Sequence, residues 1–260
     1  MAAPSIDEVQ KEAMARVRAA PADASARMKL FRISAVTGHW ERALNQLDVA
    51  STADAALAYS AMVYRQLVGG ERFRAEVFAG KRTPVFAGEP ERWIALLVEA
   101  LRADAGGAAG AAQALRAEAM ELAPATAGQL DDTPFQWIAD ADGRLGPVLE
   151  AFIDGKYYWI PFGNLAEVEF EEPTDWLDMI WATAQITFAS GGTKPAHVPV
   201  RYPGSEGDAD DAIRLSRLTR WLGDDDAGYR GLGQRVLTTD ADEVGLLQVR
   251  RLILNPAPGA

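Results

Sequence analysis

The stretch Phe135-Gln-Trp-Ile-Ala-Asp-Ala-Asp-Gly-Arg-Leu-Gly-Pro-Val-Leu-Glu-Ala-Phe-Ile-Asp-Gly-Lys-Tyr-Tyr-Trp-Ile-Pro-Phe162 decides how the second half of the chain is read. Val148 to Ile153 and Lys156 to Ile160 are runs of β-branched and aromatic residues separated by Asp154-Gly155. That dipeptide tolerates positive φ at both central positions of a type I′ turn, so the spacing predicts a tight antiparallel hairpin.

Working outward from the hairpin, the periodicity on its two sides differs. Up to about residue 123 the chain is rich in Ala, Leu, Arg and Glu, with apolar residues recurring at three and four positions, which is helical spacing. From Ala24 the residues Arg27, Leu30, Phe31, Ser34, Gly38, Trp40, Ala43, Leu47 and Ala50 approximate the 34-residue tetratricopeptide pattern of helix, glycine turn and helix, with Arg27 in place of the usual tryptophan. A weaker match begins at Trp93 and runs through Ala100, Gly107, Ala112, Ala119 and Pro124. The two frames start 69 residues apart, close to two repeat lengths, so a degenerate third unit is expected between them, with a helix from Asp54 to Ala79 that Asp54 caps and Gly80 stops. Close helix packing accounts for the small residues, and burial for Trp40 and Trp93. Stacked helix pairs would add a concave face that suits a partner's peptide.

After Pro124 short apolar or alternating segments take over at Phe135–Ala139, Ala166–Phe170, Met179–Phe188, His197–Arg201, Gln234–Thr238 and Val244–Leu254. Asp208–Arg217 reads as one helix begun by an acidic cluster, Asp240-Ala-Asp242 as the turn between the last two strands, and Asn255–Ala260 as a frayed tail. The expected fold class is therefore α+β: tetratricopeptide-like helical repeats over residues 1–125, then a mainly antiparallel β domain with one or two helices over residues 130–260. The connection between about Ala123 and Asp132 is expected to be protease-sensitive.

Charge follows the same division. Residues 1–128 hold 15 Lys+Arg and 15 Asp+Glu, leaving 11 and 22 for residues 129–260, so the net −11 lies wholly in the second half. An acidic half repels phosphate backbones, which argues against nucleic-acid binding. With no cysteine there is neither a disulfide framework nor a thiolate zinc site. No signal peptide and no eighteen-residue apolar span are read, and a cytoplasmic location is expected.

Candidate chemistry is thin. Asp140-Ala-Asp142-Gly143 resembles the start of a calcium loop, but Leu145 stands at the glycine position and Ala151 at the glutamate position, so a polar turn is expected. Gly191-Gly-Thr-Lys194 lacks the spacer and Ser/Thr of a phosphate loop and reads as a turn. Ser205 is outside a Gly-x-Ser-x-Gly elbow, and His39 and His197 are the only histidines that could serve it. Glu167, Glu169 and Glu171 alternate along a strand and should share a solvated face. No catalytic residue, metal ligand or cofactor is assigned.

The wording of residues 135–162, together with Arg201-Tyr-Pro-Gly-Ser-Glu206 and Gly233-Gln-Arg235, resembles the ImpE/TagJ family of type VI secretion accessory proteins over nearly the whole chain. The resemblance implies a cytoplasmic, non-enzymatic adaptor associated with the small contractile-sheath subunit TssB, through a terminal segment of that subunit, and with the ClpV ATPase that recycles contracted sheath. Arg201, Tyr202, Gln234 and Arg235 lie in these motifs and are the residues chosen for partner binding, because Arg and Tyr often anchor interfaces. Hydrogen bonds inside the domain are the alternative role for them. A hydrolase or small-molecule-binding enzyme on the β-rich half, or a purely structural scaffold, are the competing functions.

Overall fold

In a computed structural model, which describes residues 4–223 and 228–255, the first half is helical because its caps and periodicity agree. Ser5 and Glu8 form a reciprocal capping box that starts α1 (Ile6–Ala19), and the Asp23 carboxylate takes the N–H groups of Ser25 and Ala26 to start α2 (Ala24–Val36). Gly38, at φ +68°, turns the chain into α3 (Trp40–Ala53). Asp54 then caps a 3₁₀ turn at Ala55–Leu57, which leads into α4 (Ala58–Phe78), and Gly80 stops it at φ +69°. α5 (Arg92–Ala105) and α6 (Ala109–Leu122) form a second hairpin across Gly107.

The middle unit departs from the expected helix pair. α4 has no helical partner of its own: Pro84, Gly88 and Pro90 forbid a helix, and the chain runs instead through a short strand, β1 (Val85–Phe86). β1 pairs in parallel with Tyr158 and Trp159, so the helical half contributes an edge strand to the sheet.

The second half supplies β2 (Ala127–Leu130), β3 (Thr133–Phe135), β4 (Ile138–Asp140), β5 (Val148–Ile153), β6 (Lys156–Pro161), β7 (Leu165–Phe170), β8 (Trp181–Phe188) and β9 (Thr193–Pro199), then α7 (Asp211–Arg214), β10 (Thr219–Leu222), β11 (Arg230–Gly233), β12 (Val236–Thr239), β13 (Glu243–Gly245) and β14 (Arg251–Asn255). The β5–β6 hairpin forms as the sequence predicts, with Asp154 and Gly155 at φ +50° and +75°. Nine strands make one sheet in the order β1-β6-β5-β9-β8-β7-β14-β2-β3, antiparallel throughout except for β1. β13-β12-β4 form a second small sheet, and β10-β11 a two-stranded ribbon.

Several elements are shorter than the sequence suggests. The helix expected over Asp208–Arg217 is only α7, because Asp210 is the residue that caps it and Ser216, at φ +54°, ends the helical path. Phe135–Ala139 divides between two sheets. Val244–Leu254 breaks at Leu246–Gln248, where the Leu246 amide turns back to the Arg235 carbonyl and the Gln234 side chain takes the Leu247 amide. Residues 256–260, most of the expected frayed tail, lie outside the described residues, as do Met1–Ala3 of the N-terminus.

Every residue of β5 is buried, and the strand's period of two sends alternate side chains to two cores. Leu149, Ala151 and Ile153 join Ile160, Val168, Ile186 and Leu237 beneath the small sheet, whereas Val148 and Phe152 join Tyr157, Trp159 and Trp181 against the helices. Gly70 marks how closely α4 approaches: a Cβ there would lie 2.6 Å from the Phe152 ring.

Candidate functional site

The helix-facing side of the sheet carries a charged residue at its centre. Glu150, in the middle of β5, is fully buried and accepts two hydrogen bonds from Arg74 of α4, Nε to Oε1 at 2.6 Å and Nη2 to Oε2 at 2.8 Å. Tyr157 on β6 donates its hydroxyl to the same carboxylate and accepts from Trp159 Nε1 at 2.7 Å. Arg235 stands on the other side, with Nη1 3.3 Å from Glu150 Oε2 and Nε donating to Asp140 Oδ2 at 2.8 Å. Tyr202 donates to Asp140 Oδ1 at 2.9 Å and accepts the Val236 amide at 3.0 Å. Asp142 closes the group by taking the Arg144 guanidinium at 2.6 Å and the Gly231 amide at 2.9 Å.

The polar turn expected at Asp140 and Asp142 forms between β4 and β5, and both aspartates are buried, with exposures of 3% and 0%. A motif that fails as a calcium loop provides anchors for three arginine and tyrosine side chains. Glu167 ion-pairs with Arg251 at 2.5 Å, while Glu169 and Glu171 are exposed as the alternation requires.

The four residues picked from the sequence lie around this cluster. Arg201 is buried and donates to the carbonyls of Val36 at 2.6 Å and Ala35 at 3.3 Å, placing a cation on the C-terminal end of α2, and to the Arg214 carbonyl at 2.8 Å. Its own carbonyl accepts from Arg74 at 3.1 Å. Tyr202 and Arg235 are fully buried, and Tyr202 also packs on half-exposed Trp221, ring centroids 5.7 Å apart. Gln234 bridges Arg201 through the backbone and donates its side-chain amide to the Ser216 carbonyl at 2.8 Å. Ser205 is spent on backbone: its hydroxyl donates to the Tyr202 carbonyl at 2.5 Å and accepts the Gly233 amide at 2.8 Å. His39 bonds Thr37, while His197 lies on β9 opposite Phe152.

Electrostatics separate the two central carboxylates. Burial alone would raise Glu150, but Arg74 and Arg235 outweigh it and hold the carboxyl below its ordinary range. Burial dominates at Asp140 and, with Asp142 adding repulsion against the pull of Arg235, pushes it up to about 6. Glu71, which accepts Trp181 Nε1 at 2.9 Å, is also raised by burial. With carboxylates matched by guanidiniums and tyrosines, the cluster is a brace between α4, the hairpin and the segments around residues 140 and 235. Sequence reasoning missed Arg74 and Glu150. The available signal was Glu150 itself, a charge inside an otherwise apolar run, which a buried strand tolerates only with a cationic partner.

Polar chemistry gives way to apolar surface beside the hairpin tip. Tyr59 and Met62 of α4, 75% and 47% exposed, edge a cleft of about 310 Å³ floored by Val63, Leu67 and Phe152 and closed by Pro195 and His197. Among the described residues no group of three or more His, Asp or Glu is arranged to hold a metal ion, and no helix is long and apolar enough to cross a membrane.

Residues 132–253 match the family model described as ImpE protein. The fold is that of a crystal structure of a Vibrio parahaemolyticus protein, at a TM-score of 0.89 and 24% identity over 96% of this chain and 94% of that one. A Pseudomonas aeruginosa protein named type VI secretion system accessory component TagJ is 44% identical over 251 residues, which is 96% of this chain and 88% of that protein. With its β-rich half matched by the family model and its helical half carried by the same full-length likeness, the chain belongs to the ImpE/TagJ family.

Proposed function

We propose that the protein is a non-enzymatic accessory of a type VI secretion system, an adaptor that binds the small contractile-sheath subunit TssB through its N-terminal segment and acts with ClpV in sheath disassembly. The observation that carries this reading is the 44% identity to an accessory component across 96% of the chain. Two structural features support it. The cluster on the sheet is a buried, ion-paired brace between α4 and the strands, which suits a rigid platform. The Tyr59–Met62 cleft offers apolar anchors for a helical or extended segment.

In this reading residues 1–125 are the helical-repeat unit, residues 130–260 the α+β unit, and the site of action is the cytoplasm, without nucleic acid or membrane as a partner. Arg201, Tyr202, Gln234 and Arg235 contribute to partner binding by holding the loops in place, Tyr202 beneath Trp221 above all. The test is calorimetry of the full chain with a synthetic N-terminal sheath peptide. A dissociation constant in the micromolar range or tighter, about −8 kcal/mol, is expected. Binding led by apolar anchors persists at about 0.5 M salt, where the Debye length falls to a few ångströms. No heat at about 100 μM peptide, with the protein folded, removes the adaptor and leaves the scaffold ahead. Turnover in a hydrolase panel, abolished by Ser205→Ala, would instead favour the enzyme.

A further inference from the structure

The two histidines are the only side chains in this sequence whose ordinary charge change falls between about pH 5 and 8, and the fold holds them differently. His39 is exposed, and its Nδ1 shares a hydrogen bond with the Thr37 hydroxyl at 2.8 Å. His197, within β9, is half-buried, and its ring makes no hydrogen bond to another described residue, which leaves its nitrogens to water.

Strand pairing sets where that ring lies. His197 stands opposite Phe152 of β5 on one side and Thr183 of β8 on the other, and directly paired residues send their side chains to the same face. Phe152 faces the helices, so the imidazole closes the Tyr59–Met62 cleft beside an apolar floor of Val63, Leu67 and Phe152. Few charges surround it. α4 contributes Tyr59 and Gln66 to the lining and no ion. The hairpin turn contributes Asp154, which is paired with Lys194 of β9 at 3.1 Å. The turn before β8 holds Asp178, whose Oδ2 accepts the Thr174 and Asp175 amides. Burial outweighs the attraction of Asp178 and holds the imidazole below its ordinary value of 6.5.

We propose that His197 makes occupancy of the Tyr59–Met62 cleft proton-linked: the cleft takes an apolar segment while the ring is neutral and releases it in acid, when the ring is charged. This rests on the reading of the cleft as the docking place of a partner segment. The sign follows from solvation. An occupant that covers His197 removes the water that serves the imidazolium, and an apolar side chain offers no acceptor in return. The complex therefore holds the proton less tightly than the free protein does. Affinity is full above the titration of the free protein and declines as pH falls through it.

The experiment is calorimetry of the full chain with the synthetic N-terminal sheath peptide, its ends blocked, at about pH 7.5, 6.5 and 5.5 and constant ionic strength. Circular dichroism at each pH checks that the protein is folded. A weakening of about three- to tenfold from the highest pH to the lowest is expected in the parent and in His39→Gln. In His197→Gln the ratio of affinities across the same range should be near one, whatever the variant's affinity at the highest pH. Proton NMR gives a second readout, with the two histidine ring signals assigned by their absence from the variants. Bound peptide should move the titration of His197 to lower pH and leave that of His39 in place. Binding that does not change with pH in the parent, or that weakens equally in His197→Gln, overturns the linkage and leaves the docking reading standing. A His197 titration unmoved by bound peptide also overturns it. No binding at the highest pH, with the protein folded, removes the sheath reading and the linkage with it.

Discussion

The two faces of the nine-stranded sheet are held by different physics. Beneath the small sheet, Leu149, Ala151, Ile153 and Ile160 meet Val168, Ile186, Leu237 and Leu246 in a core whose side chains are nearly all aliphatic. Against the helices, aromatic side chains surround Glu150, Arg74 and Arg235, none of them more than 2% exposed. The aliphatic face tolerates volume-conserving exchange because burial is non-directional. The ionic face has no such latitude: each charge is acceptable only while its partner is in place. Its contacts join residues 74, 140, 150 and 235, so this brace makes the helical and β-rich regions depend on each other.

The largest break in that comparison should come from Arg74→Met. It keeps much of the side-chain volume and leaves Glu150 with Arg235 as its one remaining cationic partner, and a loss of about 3–5 kcal/mol is expected in urea unfolding. Leu149→Met on the aliphatic face should lose under about 1.5 kcal/mol. Adding Glu150→Gln to Arg74→Met should restore part of the loss, since the carboxylate that took both Arg74 hydrogen bonds is then neutral. A loss of less than 1 kcal/mol in Arg74→Met would mean that water reaches Glu150 and that the two faces do not differ as described.

Acid separates the faces further. Asp140, raised to about 6 from an ordinary value of 3.8, binds its proton more tightly folded than unfolded. Its contribution to stability is therefore fully present below pH about 4, and falls by roughly 3 kcal/mol as pH rises to 6 and above. Glu150 runs the other way: its carboxyl is depressed, so its contribution is present above the ordinary glutamate range and is lost as pH falls through its folded value. Denaturant unfolding at several pH values between 4 and 7 should show a less negative slope of stability against pH in Asp140→Asn than in the parent. Parallel curves would place the Asp140 proton elsewhere.

Much of the fold was legible because it is local. Asp154-Gly155 specifies the hairpin, Gly38 and Gly107 punctuate the helix pairs, and Asp23 and Asp54 sit where helical segments begin. What was not legible is long-range. Nothing near Asp140 or Asp142 announces Tyr202, Gly231 or Arg235, and a surface turn and a buried turn share the same residues. β1 escaped for a related reason: two residues between prolines acquire strand geometry only by pairing with Tyr158 and Trp159. Arg201 and Tyr202 were singled out by motif, which does not distinguish a group facing a partner from one that caps α2 or holds Trp221.

A cut chain tests how far the brace links the regions. Of the connection expected to be protease-sensitive, Ala127–Leu130 is paired on both sides in the sheet and Thr126 is buried, which leaves Pro124-Ala125 and Asp131-Asp132 exposed. Nicking at those sites should give two fragments that co-elute under native conditions, held by β1 and by Arg74. Fragments that separate without denaturant would make residues 1–125 and 130–260 independent units and the brace a minor contact.

A smaller effect than that of Arg74→Met should come from Gly70→Ala, where α4 packs tightly on the hairpin. In a helix interior alanine is favoured over glycine by about 1 kcal/mol, so propensity alone would stabilise α4. The added Cβ, however, would lie 2.6 Å from both Phe152 Cδ1 and Cε1, closer than side-chain carbons approach in proteins. Phe152 is only 3% exposed and packs on Tyr157 at 5.6 Å, so its ring has little space in which to yield. Overpacking of this kind destabilises by about 1–3 kcal/mol, and the net expectation is a loss of up to about 2 kcal/mol, measured by urea unfolding. Gly69→Ala is the matched control, because a Cβ there meets nothing within 4 Å and should stabilise the chain by the propensity difference alone. If both substitutions stabilise equally, α4 and the hairpin are free to separate at Phe152, and the joint between the regions rests on Arg74 and Glu150 without close packing beside them.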